Sequence, residues 1–229
     1  RMANTNFANI KACVFDAYGT LFDIHSPAEK LTNELGEKAP LLSEIWRQKQ
    51  LQYTWLRSLM GQHASFWQIT GDALDFALQS IEIKNPALRA KLMELYLQLD
   101  VYPEVPKTLK KLKDSNIKTA ILSNGEPSML IAAAKNAGIY ELLDVILSVE
   151  EVGVFKPHPD VYQIAVDKFK IPPDQMSFQS SNSWDAHGAS LCGFSVAWVN
   201  RFNQFSEILP AEPHTELNSL SELPELIGL

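Results

Sequence analysis

The chain has 229 residues, of which 46% are hydrophobic and 21% are charged, and its formal net charge is −7. This length predicts one or two globular domains, and the apolar content excludes the fibrous and disordered classes. The acidic balance, with no cluster of lysines and arginines, argues against a nucleic-acid partner.

The first apolar run of the chain predicts a buried strand. Residues 10–15 form a mostly apolar, partly β-branched run that ends at Asp16, shortly before a turn signal at Gly19 and Thr20. A strand that is apolar on both faces is typical of a parallel sheet. The opening segment is therefore expected to lie inside such a sheet.

A long segment of helical character follows. From about Pro27 to Asp100 the apolar residues recur at spacings of three and four, and strand-like runs are few. This region is predicted to be entirely helical.

Beyond residue 102 the pattern alternates between strands and helices. Helices are predicted near residues 104–114, 127–136 and 159–169 and from 183 onward, and strands at 118–122, 144–149, 176–180 and 194–199. Such alternation indicates an α/β fold with a doubly wound parallel sheet.

The chain is therefore divided into a core and an insertion. We expect an α/β core formed by residues 1–21 and 102–229, interrupted by a helical cap at 22–101. The insertion follows the carboxyl end of the first strand, where such folds place their ligand sites, so the cap is expected to act as a lid.

Reactive side chains are predicted at that same edge of the sheet. Asp16 ends a buried strand beside a glycine turn with exposed N–H groups, an arrangement suited to a nucleophile next to an anion cradle. Further polar segments at or beyond the ends of later strands are 123–125, 156–157 and 180–185. Because the carboxyl ends of parallel strands share one edge, all four groups are expected in one crevice.

The order of these groups resembles the haloacid dehalogenase superfamily over the whole chain, which implies a Rossmann-like core. Phosphatase members of that superfamily have Asp-x-Asp in the first loop and bind Mg²⁺ with several acidic residues. Here the second position is Tyr18, and Asp185 is the single acid of the last loop. Since a hard divalent cation prefers several carboxylate oxygens, a phosphatase or phosphonatase is the less favoured alternative.

The (S)-2-haloacid dehalogenase branch is the better match. The resemblance rests on segments 16–20, 46–50, 123–125 and 180–185. It implies hydrolysis of short-chain (S)-2-haloalkanoic acids to (R)-2-hydroxyalkanoic acids with inversion, without a metal or redox cofactor. A protein that keeps the fold only to bind a small carboxylate is a further alternative, against which the full set of reactive residues argues.

The resemblance implies a two-step reaction at Asp16. This carboxylate would displace the halide to form an ester, and water would then cleave the ester at the Asp16 carbonyl. Lys156 is expected close by, where its charge would keep Asp16 ionised. The substrate carboxylate would be held by Ser123, Asn124 and the backbone N–H groups of Ala17 and Tyr18.

The cap is expected to supply the site for the leaving group. By resemblance, Arg47 accepts the halide together with Asn124 and Phe66, because developing negative charge needs donors and positive charge. Leu51, Phe66 and Trp184 are expected to form an apolar pocket around the alkyl group of the substrate.

Ester hydrolysis needs a positioned and polarised water. The resemblance assigns this task to Asp185, supported by Ser180 and Asn182, with Thr20 and Tyr162 completing the hydrogen-bond network. Three further polar residues near the site, His25, His187 and Gln179, are interpreted as structural; for Gln179 we expect a hydrogen bond to a neighbouring loop.

The remaining expectations concern partners and location. Apolar runs such as 119–122 and 194–199 are far shorter than the roughly 18 residues of a membrane span, so no membrane association is expected. The first ten residues are mostly polar and do not resemble a secretory signal, which predicts a cytoplasmic protein. Cys13 and Cys192 are expected to be small hydrophobes rather than a disulfide. By family resemblance the protein is expected to be a homodimer.

Overall fold

A computed structural model describes residues 4–229; residues 1–3 of the predicted core lie outside the described part. The chain enters the sheet with β1 (Ala12–Phe15), whose four side chains are all buried. This strand begins two residues later than predicted, because the backbone N–H of Lys11 donates to Gln175 at the end of a short 3-10 helix, and pairing with the neighbouring strand begins at Ala12.

The helical cap follows directly. After the short strand β2 (Phe22–Asp23) come α1 (Ser26–Lys30), α2 (Thr32–Leu35), α3 (Ala39–Met60), α4 (Phe66–Ser80) and α5 (Pro86–Tyr96), and then the short strand β3 (Asp100–Val101). The helices begin and end at sequence signals: the Ser65 hydroxyl accepts from the Gln68 backbone N–H at the start of α4, and α3 ends at Gly61 in a left-handed conformation.

The rest of the core alternates as predicted. In chain order it contains α6 (Val105–Asp114), β4 (Lys118–Ser123), α7 (Pro127–Asn136), β5 (Val145–Ser148), α8 (Pro159–Phe169), β6 (Met176–Ser180), α9 (Ser183–Leu191), β7 (Ser195–Val199), β8 (Thr215–Leu217) and α10 (Leu223–Leu226). The last strand and helix are too short to give a periodic signal and were not predicted.

One parallel sheet organises the core, with strand order β5-β4-β1-β6-β7-β8. Because β1 lies between β4 and β6, the loops after these three strands meet at one edge of the sheet, and the doubly wound fold with its helical cap is confirmed.

A small antiparallel pair marks the junction of cap and core. Strand β2 pairs with β3 through Phe22 opposite Val101 and Asp23 opposite Asp100. The chain therefore leaves the core and returns to it side by side. The predicted cap boundaries, 22 and 101, fall in this pair; we propose them as the domain division.

Candidate active site

The central strand presents Asp16 at the crevice. Its backbone N–H donates to the carbonyl of Gln179 on β6 (2.9 Å), and its side chain, within a residue that is only 5% exposed, lies at the carboxyl edge of the sheet. The backbone of Asp16 is therefore held by the sheet, and its side chain points into the crevice.

The two carboxylate oxygens of Asp16 have different surroundings. Oδ2 accepts three hydrogen bonds, from Thr20 Oγ1 (2.9 Å), Ser180 Oγ (3.1 Å) and Asn182 Nδ2 (2.8 Å). Among residues 4–229, Oδ1 accepts only one, from Lys156 Nζ (3.1 Å). Three donors leave no lone pair of Oδ2 aimed at a substrate, whereas Oδ1 keeps one available.

Lys156 lies between two carboxylates. Its Nζ is 3.1 Å from Asp16 Oδ1 and 2.9 Å from Asp185 Oδ2, and its side chain is 1% exposed. Burial lowers the pKa of the ammonium, but the charges of Asp16 and Asp185 outweigh it and leave the pKa raised. Lys156 therefore remains a cation next to Asp16 and is not a solvated surface lysine.

Asp185 is held at its second oxygen by a tyrosine. The Tyr162 hydroxyl donates to Asp185 Oδ1 (2.6 Å), and both side chains are fully buried. Burial raises the pKa of Asp185, and neither the charge of Lys156 nor the bond from Tyr162 fully offsets it. Burial and the Asp185 charge raise the pKa of Tyr162 well above its ordinary value, so its hydroxyl stays neutral and donates.

This arrangement corrects one expectation. Ser180 and Asn182 were expected to support Asp185, but their side chains bind Asp16, as does that of Thr20. Asp185 is held by Lys156 and Tyr162. The reason is the strand order: β6 is the direct neighbour of β1, with Gln179 opposite Phe15, so the β6 loop opens beside Asp16.

The β4 loop forms the next wall. Ser123 ends β4 fully buried, and its Oγ accepts from the Gly125 N–H (3.0 Å). Asn124 Oδ1 accepts from the Lys156 backbone N–H (3.0 Å), which orients the amide and leaves its NH₂ as a donor. A Cβ at Gly125 would come within 2.8 Å of the Tyr18 ring, so glycine permits this loop to approach the β1 turn.

Arg47 reaches the same crevice from the cap. From α3, its Nη2 donates to Asn182 Oδ1 (3.1 Å) and to the Tyr18 carbonyl (3.3 Å), and its Nη1 donates to Gln50 Oε1 (3.1 Å). Asn182 thus connects the guanidinium of the cap with the Asp16 carboxylate of the core.

A buried polar network behind Arg47 was not predicted. Gln50 Nε2 donates to Thr70 Oγ1 (2.9 Å) and to the Tyr96 hydroxyl (3.0 Å). The signal was available in part, since Gln50 lies three residues after Arg47 on one helix face. Thr70 and Tyr96 come from α4 and α5, and no local pattern connects them with Arg47.

Aromatic rings cover the cleft on the cap side. Tyr18 packs on Phe66 and on Tyr96, with ring centroids 5.1 and 5.6 Å apart. The Tyr18 hydroxyl is buried and has no hydrogen-bond partner in the described part of the chain. Burial raises the pKa of Tyr18 well above its ordinary value, so this residue presents a neutral ring where a phosphatase would have an acid.

Three further residues that were expected to contact the substrate are buried to different degrees. Trp184 is half-buried and packs edge-on against Trp55 (5.1 Å), Leu51 is half-buried one turn after Arg47, and Ala17 is fully buried in the β1 turn. Trp55 was not predicted.

The three polar residues interpreted as structural all have structural contacts. A ring nitrogen of His25 bonds the Ser43 hydroxyl, and burial lowers the pKa of His25. His187 Nδ1 bonds the Pro210 carbonyl (3.1 Å). The Gln179 side chain donates to Ser177 of its own strand rather than to a neighbouring loop, so that expectation was wrong.

Three further observations concern the cysteines, membrane spans and metal ligands. Cys13 and Cys192 are both unbridged, one buried and one half-buried. Within residues 4–229 no helix has the length and apolarity to cross a membrane, and no three His, Cys, Asp or Glu side chains converge on a possible metal site.

Comparison with known proteins identifies the family of this chain. A model of the haloacid dehalogenase-like hydrolases matches residues 10–193. The chain is 45% identical over 219 residues to (S)-2-haloacid dehalogenase 1 of Pseudomonas sp. (strain CBS-3), covering 95% of this chain and 96% of that protein. It is 43% identical over 221 residues to (S)-2-haloacid dehalogenase 4A of Burkholderia cepacia, covering 96% of each.

A solved structure agrees with these relatives. The L-2-haloacid dehalogenase of Xanthobacter autotrophicus with chloropropionic acid covalently bound superposes with a TM-score of 0.89 at 36% identity, over 95% of this chain and 98% of that one. The resemblance seen in the sequence is thereby confirmed. The chain belongs to the (S)-2-haloacid dehalogenase family of haloacid dehalogenase-like hydrolases and is a hydrolytic dehalogenase.

Proposed function

We propose that the protein converts short-chain (S)-2-haloalkanoic acids into (R)-2-hydroxyalkanoic acids through an ester on Asp16. The observation that supports this most directly is the unequal environment of the two Asp16 oxygens. Among the described residues 4–229, Oδ1 accepts only from Lys156 and can attack, whereas Oδ2 is surrounded by three donors.

In the first step Asp16 Oδ1 forms a bond to carbon 2 of the substrate as the carbon–halogen bond breaks. The halide leaves with the bonding electrons on the opposite side, so the configuration inverts. Arg47 would receive the halide, with Asn124 and Phe66 beside it. Ser123, the Asn124 amide and the N–H groups of Ala17 and Tyr18 would hold the substrate carboxylate, since it approaches a second anion.

In the second step water attacks Cγ of the esterified Asp16. Asp185 takes a proton from the water, and negative charge develops on Oδ2, where Thr20, Ser180 and Asn182 already point their donors. The bond between Cγ and Oδ1 then breaks, and Asp185 gives its proton to the departing alkoxide oxygen, so that a neutral alcohol leaves. Asp16 is regenerated as a carboxylate with one oxygen from water, and the second proton of that water passes to solvent. The raised pKa of Asp185 suits it to accept that proton.

The phosphatase or phosphonatase alternative has less support. In this chain Tyr18 replaces the second aspartate, and the Lys156 ammonium lies between the two carboxylates of the crevice. No observation in the described residues favours phosphoryl transfer over halide displacement.

The test is halide release and chiral product analysis with each enantiomer of 2-chloropropionate, with EDTA throughout. Chloride from the (S) acid alone, with (R)-lactate as product, is expected. Chloride from neither enantiomer, together with Mg²⁺-dependent phosphate release from a phosphoester, would instead establish the phosphatase.

We also propose that the protein is a homodimer that pairs through α3. Leu56, Leu59 and Met60 leave half or more of their surface exposed near the end of this helix, and Leu41 does nearly so near its start. Sedimentation equilibrium should give twice the 25.7 kDa chain mass, and Leu59→Glu should return the monomer. A wild-type monomer at micromolar concentration would contradict the proposal.

A further inference from the structure

Arg201, two residues beyond β7, joins three segments of the chain. Its Nη2 donates to the Thr20 carbonyl (2.8 Å) and to Glu104 Oε2 (2.7 Å), and its Nη1 donates to Glu104 Oε1 (3.1 Å). The guanidinium also stacks on the Tyr102 ring at 4.0 Å. Neither the family resemblance nor the proposed chemistry gives this residue a role.

The position of this cluster is informative. Thr20 lies where the chain leaves the core for the cap, and residues 102–104 lie where it returns; the Tyr102 N–H also donates to the Leu21 carbonyl (3.0 Å). The side chains of Arg201 and Glu104 are 9% and 18% exposed, so this bidentate pair is largely desolvated. A planar guanidinium that donates through both Nη nitrogens and stacks on a ring has one orientation. The buried Nε of Arg201 has no partner in the described part of the chain.

That orientation is passed on to the nucleophile through Thr20. With its carbonyl held by Arg201, Thr20 donates its hydroxyl to Asp16 Oδ2 (2.9 Å) and accepts from the Ser181 N–H (2.8 Å). Ser181 is itself held from β7, since Trp198 Nε1 donates to its carbonyl (3.1 Å). The end of β7 and the residues after it thus fix Thr20 in two ways: Arg201 holds its carbonyl, and Trp198 holds Ser181, whose N–H donates to its hydroxyl.

We propose that Arg201, locked by Glu104, is a positioning residue that aims the Thr20 hydroxyl at Asp16 Oδ2 and thereby accelerates hydrolysis of the ester more than its formation. This rests on the proposed function. In ester formation Oδ2 loses negative charge as it becomes a carbonyl oxygen, whereas in hydrolysis it gains charge. A donor to Oδ2 therefore assists the second step, and a misdirected Thr20 slows that step selectively.

The experiment measures how much enzyme is esterified during turnover. Wild type, Arg201→Met and Glu104→Gln are mixed with excess (S)-2-chloropropionate, quenched within the first turnovers and weighed as intact protein, and chloride release is followed in parallel. For Arg201→Met we expect kcat to fall about tenfold, in line with a small displacement of one group. KM should fall in proportion, so that kcat/KM stays within about twofold of wild type. The esterified fraction and the chloride burst should rise.

Two further variants separate positioning from loss of structure. Arg201→Lys can reach Thr20 or Glu104 but not both, so it is expected to recover part of kcat and part of the low wild-type ester level. Arg89→Met breaks another bidentate pair, with Asp75 (2.7 and 3.3 Å), which lies in the cap and is more exposed than the Arg201 pair. It should leave kcat and the ester level at wild-type values.

The outcomes are distinct. A fall in kcat with no rise in the esterified fraction, for both Arg201→Met and Glu104→Gln, overturns the inference, because unfolding removes active enzyme without changing its partition between the two steps. If Arg201→Met does not fold, Glu104→Gln alone decides. Failure of the proposed function is recognised separately, since the wild type itself would then release no chloride and show no ester mass.

Discussion

The two walls of the cleft are built by different means. On the core side Asp16, Lys156 and Asp185 come from segments that follow β1, β5 and β6, and each carboxylate accepts at least two hydrogen bonds. The cap contributes the charge of Arg47 and the rings of Phe66 and Tyr96, which pack against Tyr18 of the core. Its helices join the core through a pair of two-residue strands. The difference suggests a division of labour.

The core side holds three buried charged side chains, Asp16, Lys156 and Asp185, in fixed positions. A buried ion triad is costly to desolvate and persists only when every partner is satisfied, as it is around Lys156. Such a preorganised site suits attack at carbon and hydrolysis of the ester. The cap side suits recognition of an apolar substrate and its leaving group.

The largest effect is expected from removing the negative charge of Asp16 on the core side. In Asp16→Asn the amide is a poor nucleophile, so halide release should fall by roughly 10⁵-fold or more. Chloride release measured with (S)-2-chloropropionate checks this, alongside Asp114→Asn, which alters a carboxylate 64% exposed on α6 and should retain full activity. Substantial chloride release by Asp16→Asn, with its circular dichroism spectrum unchanged, would contradict the assignment of the nucleophile.

The next effect isolates the cap side. In Arg47→Lys a single ammonium cannot replace a guanidinium that contacts Gln50, Asn182 and the Tyr18 carbonyl together. We expect kcat to fall about 10²-fold to 10³-fold, with no ester accumulating, because departure of the halide becomes slow. Arg57→Lys, on the same helix, is the matched control. Accumulated ester in Arg47→Lys would place the role of Arg47 in the second step instead.

A smaller effect on the core side should have the opposite signature. Thr20→Val keeps the shape of the side chain but removes one of the three donors to Asp16 Oδ2. About a 10²-fold loss of kcat is expected, and here the ester should accumulate, as seen by intact mass after quenching. Thr215→Val, in edge strand β8, provides the control. If Thr20→Val slowed ester formation and ester hydrolysis equally, the proposed difference between the core side and the cap side would be contradicted.

The sequence predicted the core side better than the cap side, for a physical reason. Strand ends can be found from apolar periodicity, and parallel strands bring their ends together, so Asp16, Ser123 and Ser180 could be placed in one crevice. The order of the strands in the sheet cannot be read from a local sequence pattern. For this reason Ser180 and Asn182 were expected to support Asp185, although their side chains bind Asp16.

Contacts between cap helices were harder to predict. The bonds of Gln50 to Thr70 and Tyr96 depend on how three amphipathic helices pack, and many packings satisfy the same spacing. The paired strands β2 and β3 have two residues each, which is too short for any periodic pattern. Arg201, which follows β7 by two residues, had no motif around it at all.

The smallest expected effect concerns the acid limb of the pH profile. Asp185 must be ionised to take a proton from water, and burial raises its pKa, so ester hydrolysis should be lost as the pH falls through a value above that of an ordinary aspartate, about 3.9. In Tyr162→Phe the hydroxyl that stabilises the ionised Asp185 is gone, so the pKa rises further and the acid limb moves to higher pH. The loss of kcat at neutral pH should be about tenfold.

Because the shift concerns a base of the core side, it should appear in the rate of ester decay and leave the rate of ester formation unchanged, as measured by single-turnover mixing from pH 5 to 8. Tyr140→Phe, whose ring lies on the surface over Lys135, should reproduce the wild-type profile. An acid limb of Tyr162→Phe that stays in place or moves to lower pH would show that Asp185 is not the base whose ionisation limits ester hydrolysis.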